Sequence, residues 1–106
     1  MKYIIYLDKY QSREFTEMDK LHTLHPGKIL LKNFLELKGI SQRQAARDMQ
    51  VDPRRINEII AGQRSITADT ALRLSKYFKN PEQFWMELQD TYDLEKAKQN
   101  QKKAEL

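Results

Sequence analysis

The chain contains no cysteine, and its 106 residues include only three glycines and three prolines. The lack of cysteine excludes disulfides, thiol catalysis and cysteine-based zinc sites, and it is compatible with a reducing cytoplasm. No apolar run is long enough to cross a bilayer, and the apolar stretch 3–7 is too short for the core of a signal peptide. We therefore expect a cytoplasmic protein with one globular domain, no membrane association and no metal.

Basic residues are concentrated in the middle of the chain. Residues 26–80 contain eleven Lys and Arg against five Asp and Glu, whereas residues 1–25 contain four of each and residues 81–106 contain four against six. A basic excess of this kind attracts a polyanion such as DNA, but it is also typical of a solvated surface. Charge alone leaves both interpretations open, so the motifs must decide between them.

Helical periodicity and helix-capping residues run through the chain from Pro26 onward. Ser41, Asp52 and Thr67 are typical N-caps, and glycines at 39 and 62 are typical of helix C-termini. The pattern predicts an all-α fold with five helices: from Pro26 to Gly39, after Ser41 to Met49, from Pro53 to about Ala61, after Thr67 to near Asn80, and from Pro81 into a charged tail. We expect this tail, residues 95–106, to fray, and we treat residues 1–24 as an N-terminal extension of uncertain structure.

The apolar positions of each helix are expected to line one core. In the first, second and fourth helices they are Ile29, Leu30, Leu31, Phe34, Leu35 and Leu37; Ala45, Ala46 and Met49; and Ala68, Ala71, Leu72, Ser75 and Phe78. The fifth helix carries Phe84, Trp85, Leu88 and Tyr92, a stripe that exceeds the need of one small core. We expect these side chains to pack in the core or across a dimer interface, and not to stack on a ligand.

The segment from Gln42 to Ile60 has the spacing of a helix-turn-helix unit, in which two short helices are joined by a tight turn. Counted from Gln42, the fifth residue is the small Ala46, where the helices cross, and the fifteenth is Ile56, which anchors the second helix to the core. The ninth is Gln50, at a turn position where glycine is common because it tolerates positive φ; glutamine costs about 1 kcal/mol there. The third helix is therefore the predicted recognition helix for a DNA major groove.

The outer arc of the third helix carries residue types that read DNA. Arginine binds guanine bidentately, asparagine binds adenine, and glutamate accepts from the cytosine amino group. The expected base-reading residues are Arg54, Asn57 and Glu58. The expected phosphate contacts lie at the start of the second helix, at the edge of the third, and after it: Gln42, Arg43, Arg55, Arg64 and Ser65.

Other classes of function find little support in these residues. A glycine-rich phosphate loop and a nucleophile with its base are both missing, so the chain is not expected to be an enzyme or to hold a cofactor. His22 and His25 have no carboxylate or cysteine company and are expected to be exposed or capping residues, not metal ligands. A single recognition helix binds weakly, which implies a homodimer on two half-sites about 34 Å apart.

Three motifs between His25 and Gln89 indicate a family. They are His-Pro-Gly-Lys-Ile-Leu at 25–30, Ser-Gln at 41–42 with Ile-Asn-Glu-Ile-Ile-Ala-Gly at 56–62, and Pro-Glu-Gln-Phe-Trp-Met-Glu-Leu-Gln at 81–89. Together they resemble the XRE, or lambda-repressor-like, superfamily of helix-turn-helix regulators, and within it the HigA antitoxins. The resemblance implies an antitoxin that neutralises an mRNA-cleaving toxin of the HigB type and represses its own operon.

The resemblance leaves the first 24 residues without an assigned role. We hypothesise that they bind a partner, ahead of a DNA-binding and dimerisation domain at 25–94 and the charged tail at 95–106. Two alternatives stay open: a stand-alone repressor without a toxin, and an interaction module whose helix-turn-helix no longer contacts DNA.

Overall fold

The computed structural model describes residues 24–105, which form five helices. Their bounds are residues 26–38 for α1, Gln42–Met49 for α2, Pro53–Ile60 for α3, Ala68–Phe78 for α4 and Glu82–Glu105 for α5. This part of the chain contains no strand, so the predicted all-α fold with five helices is confirmed. None of its helices combines the length and the apolar character that crossing a membrane requires.

The predicted caps form at the ends of the helices. Ser41 Oγ accepts the backbone N–H of Gln44 at 3.0 Å, and Asp52 Oδ1 accepts that of Arg54 at 2.8 Å. Thr67 Oγ1 accepts the backbone N–H of Thr70 at the start of α4. Each bond satisfies a backbone donor that has no partner within its own helix. Local sequence therefore determines where the helices of the central unit begin.

Helix α1 is interrupted by a π-helical stretch. Its α-helical turns Pro26–Ile29 and Glu36–Lys38 flank the π-helical residues Leu30–Leu35, and Gly39 ends the helix at φ 66°. A π-helix has wider turns than an α-helix, so the residues after it are rotated away from the expected register. Leu37, predicted to face inward, is accordingly 69% exposed, which corrects that assignment.

The inward face of α4 also differs from the prediction. Ala71 is buried as expected, but Leu74 is buried in place of Leu72, which is 54% exposed, and Ala68 is exposed. Thr70 is the unexpected member of this face, and its hydroxyl is within hydrogen-bond distance of Thr67 and Arg55. A buried hydroxyl with polar partners costs little, so a polar residue occupies a position that the apolar pattern passed over.

The aromatic stripe of α5 is part of the core of the chain itself. Phe84, Trp85 and Leu88 are all less than 5% exposed, and only Tyr92 is partly exposed. Trp85 packs at 4.8 Å from Phe34 of α1, between ring centroids, and its indole N–H donates to Asn80 at 3.0 Å. The premise that the stripe exceeds the need of one core was therefore wrong. These side chains fill the space between α1, α4 and α5.

Helix α5 continues to Glu105, through the segment that was expected to fray. Residues 95–104 are rich in Lys, Gln, Glu and Ala, which favour helix intrinsically, and Glu95 pairs with Lys98 at 3.7 Å. The structure therefore shows a continuous helix through this segment up to Glu105.

Candidate nucleic-acid interface

Helices α2 and α3 form the predicted helix-turn-helix unit. Ala46 and Ile56, at the fifth and fifteenth positions, are 0% and 1% exposed and hold the two helices to the core. Gln50 adopts the left-handed conformation at φ 60° and ψ 46°, and the backbone N–H of Val51 donates to Ala46 at 3.0 Å. The turn therefore has the positive-φ geometry that its position implied, with glutamine in place of glycine.

The two sides of α3 differ sharply in polarity. Ile56, Ile59 and Ile60 are buried against the core, whereas Arg54 and Asn57 are exposed on the opposite side. Among the described residues, none forms a hydrogen bond or ion pair with the Arg54 guanidinium. All five of its N–H donors are therefore available for an external acceptor.

Asn57 contacts the start of the preceding helix. Its Nδ2 donates to Oε1 of Gln42, the first residue of α2. The structure thus brings together one predicted base-reading residue and one predicted phosphate contact, 15 residues apart in the chain. The bond links the two helices of the unit on their exposed side.

Glu58 and Arg64, also predicted to contact DNA, form an ion pair with each other. Oε1 of Glu58 accepts from Nε of Arg64 at 2.9 Å and lies 2.7 Å from Nη2. The side chains are 33% and 44% exposed, respectively. Arg64 is thus held beside the recognition helix, and Glu58 is engaged within the chain. The sequence pattern did not indicate this pairing.

Arg55 points toward α4. Its Nη1 donates to Oδ2 of Asp69 at 2.6 Å, and the same oxygen accepts from Nε of Arg73 at 3.0 Å. Arg73 Nη1 in turn donates to the backbone oxygen of Met49, at the end of α2. The hydrogen bonds from the two guanidinium groups hold the pKa of the Asp69 carboxyl below its usual value.

One carboxylate therefore connects α3 to α4, and through Arg73 to α2. This gives Arg55 a partner within the chain in the absence of DNA, and the sequence pattern did not indicate that partner. Sequence reasoning missed Asp69 and Arg73, although their spacing of four residues in a helix is that of an ion pair.

The other two predicted phosphate contacts, Arg43 and Ser65, are exposed, the first in α2 and the second after α3. Neither forms a side-chain hydrogen bond or ion pair with another residue of the described part of the chain. They are accessible to a ligand at the two ends of the unit.

His25 caps α1. Its Nδ1 accepts the backbone N–H of Gly27 at 3.0 Å, and its ring packs edge-on against Tyr92 at 4.9 Å between centroids. Burial lowers the pKa of His25 from 6.5, with nearby Asp93 opposing the shift and Lys96 adding to it. Of the two predicted alternatives, the capping role is the one observed. His22 lies outside the described residues, which contain no cluster of potential metal ligands.

Comparison with known proteins identifies the family. The model of the Helix-turn-helix family matches residues 31–85. Virulence-associated protein I of Dichelobacter nodosus is 45% identical over 82 residues, or 77% of this chain and 76% of its own. The antitoxin HigA of Pseudomonas aeruginosa, solved with the higBA promoter, is 41% identical with a TM-score of 0.74, over 77% of this chain and 89% of its own. An addiction module antidote protein of the HigA family from Coxiella burnetii is 44% identical with a TM-score of 0.71, over 78% of this chain and 91% of its own. The chain therefore belongs to the helix-turn-helix family of DNA-binding regulators, and its structural neighbours are HigA-family antitoxins.

Proposed function

We propose that the chain is an antitoxin that binds operator DNA as a homodimer, represses its own operon and neutralises an mRNA-cleaving toxin of the HigB type. The observation that carries the DNA-binding half is the exposed side of α3, where the Arg54 guanidinium has no partner among the described residues. Arg55 and Arg64, by contrast, are each paired with a carboxylate within the chain.

The proposed contacts follow the geometry of the unit. Arg54 and Asn57 read base edges in the major groove, with Glu58 beside them. Gln42, Arg43, Arg64 and Ser65 contact phosphates on either side of the groove. Arg55 is left out of this set because its side chain is only 29% exposed and is directed at Asp69 of α4, whereas that of Arg64 is 44% exposed.

The dimer is proposed from the weakness of a single recognition helix and not from the aromatic stripe of α5, which is buried within the subunit. Two half-sites about one helical turn apart would then lie on one pseudo-palindromic operator in the cytoplasm.

Toxin neutralisation is supported by the identity of 41–44% with HigA-family antitoxins. We propose that residues 1–24 contact the toxin, that residues 25–94 bind DNA and dimerise, and that the charged segment 95–106 is a separate tail. A chain that lacks residues 1–24 should then keep its DNA affinity but lose neutralisation. Full neutralisation by the shortened chain would refute the partner-binding role.

Two measurements test the function as a whole. The first is the affinity of the chain for the duplex upstream of its own reading frame at several salt concentrations, where phosphate neutralisation requires log K to fall linearly with log salt. The second is growth rescue when the chain is co-expressed with the product of a short neighbouring reading frame. Salt-dependent promoter binding without rescue would identify a stand-alone repressor, and the absence of such binding would indicate an interaction module.

A further inference from the structure

We propose that Glu58 is a positioning residue that holds Arg64 in place for a contact with the DNA backbone, and that it does not itself read a base. The inference rests on the proposed binding of DNA through α3 and assigns a different role to one residue of that surface. Its basis is the ion pair between the two side chains, in which a single carboxylate oxygen engages two nitrogens of the guanidinium group.

The backbone after α3 brings Arg64 to this position. Gly62 turns the chain at φ 79°, and its N–H donates to Ile59 at 3.0 Å. The N–H of Gln63 donates to the backbone oxygen of Glu58 at 2.8 Å. These bonds close the end of the helix in the manner of a Schellman motif, and the chain returns toward the last turn. Arg64 therefore lies next to Glu58, although it is outside the helix.

The ion pair leaves one edge of the Arg64 guanidinium group free for a phosphate. A guanidinium group has five N–H donors, and Glu58 engages one from Nε and one from Nη2. The remaining edge, formed by Nη1 and Nη2, has no partner among the described residues and has the spacing for bidentate contact with a phosphate. A long side chain that is already fixed loses less conformational entropy on binding.

The direction in which DNA affinity changes when Glu58 loses its charge tests the proposal. A carboxylate beside DNA repels the phosphates, so removing its charge should strengthen binding if repulsion is all it contributes. If Glu58 positions Arg64, removing the charge should weaken binding. If Glu58 reads a cytosine, the loss should persist when Arg64 is absent, and it should be confined to duplexes with that base pair.

The experiment is a double-mutant cycle on Glu58→Gln and Arg64→Ala in the full chain. The probe is the tightest duplex that the wild-type chain selects from a randomised library, and a shuffled duplex of the same composition is the reference. Glu58→Gln should weaken binding to the probe about three- to tenfold, and it should cause no further loss in the Arg64→Ala background. Glu36→Gln is the matched control, because Glu36 also pairs with a basic residue, Lys32, and lies outside the helix-turn-helix unit.

A second variant keeps the test decisive if Glu58→Gln alters the fold. Arg64→Lys retains the positive charge but lacks the fork that makes two bonds to one oxygen, and it changes an exposed residue. It should reproduce the loss of Glu58→Gln with an unchanged melting temperature. Stronger binding by Glu58→Gln, or an equal loss in the presence and absence of Arg64, would overturn the proposal. If the wild-type chain selects no duplex, the proposed function fails instead.

Discussion

Gly27 of α1 lies against the backbone carbonyl of Ile59 in α3, so closely that a Cβ on Gly27 would stand 1.9 Å from that oxygen. The first helix therefore contacts the end of the recognition helix backbone to backbone, with no side chain between them. The His-Pro-Gly opening of α1 then has a physical meaning: His25 caps the helix, Pro26 begins it, and Gly27 allows the close approach.

Gly27→Ala should lower the free energy of unfolding by about 3 kcal/mol, because the backbones must move apart to admit the methyl group. Gly39→Ala is the matched control, since Gly39 has a positive φ of 66° but open space around it. The control should lower the free energy of unfolding by only about 1–2 kcal/mol, because alanine is strained in the left-handed conformation. Urea unfolding measures both variants. Equal losses would show that the contact with Ile59 is not tight in solution.

Gln50→Gly should stabilise the chain by up to about 1 kcal/mol. Gln50 has a φ of 60°, in the left-handed region that glycine adopts without steric cost. Lys79→Gly is a second instance of the same change, at the end of α4 and outside the helix-turn-helix unit. Both variants should raise the midpoint of chemical unfolding. A lower unfolding midpoint in the Gln50 variant alone would mean that the glutamine side chain contributes a stabilising contact.

The sequence was sufficient to predict the features that depend only on neighbouring residues in the chain. Ser41, Asp52 and Thr67 act within a few residues of their own position, so their capping roles followed from residue type alone. The inward face of α4 was harder, because Leu72 and Leu74 are equally apolar and periodicity does not choose between them. In the structure Thr70, Ala71 and Leu74 form the buried face, and the Thr70 hydroxyl is within hydrogen-bond distance of Arg55.

The candidate site shows the same limit. The exposure of Arg54 follows from the helical period, which places it opposite the buried Ile56. The pairs Arg55–Asp69, Gln42–Asn57 and Glu58–Arg64 join residues 14, 15 and 6 positions apart. They depend on how helices pack and how the turn after α3 closes, which residue types do not specify. Sequence alone therefore predicted which side of α3 is exposed but not the partners of its side chains.

The stability of the chain should depend on the protonation of His25. The Nδ1 of His25 must be unprotonated to accept the N–H of Gly27, and burial lowers the pKa of His25 in the folded chain from 6.5. The unfolded chain then binds more protons, so stability rises with pH. The stability that neutral His25 contributes is fully present above pH 6.5, and it is lost as the pH falls through the lowered pKa of His25 in the folded chain.

His25→Asn tests this dependence, because asparagine is a good N-cap and does not titrate in this range. Melting temperatures between pH 7.5 and 5.5 should decline less for the variant than for the wild-type chain. A parallel decline would assign the pH dependence to groups other than His25.

Arg54 and Arg55 are adjacent, yet their replacement by alanine should affect different properties. Arg54→Ala should cost about 1–3 kcal/mol of binding free energy on the selected duplex, much less on a shuffled duplex, and leave stability within about 0.5 kcal/mol. Arg55→Ala removes a partner of Asp69 and should lower the unfolding midpoint more than Arg54→Ala does. Fluorescence anisotropy and urea unfolding on the same two variants separate these effects.

The reverse outcomes have a definite meaning. Equal losses of affinity on both duplexes would make Arg54 a phosphate contact. If Arg55→Ala weakened binding equally on both duplexes at unchanged stability, its guanidinium would leave Asp69 for a phosphate when DNA binds. The ion pair would then hold Arg55 only in the free protein, because a phosphate would replace the carboxylate as its acceptor.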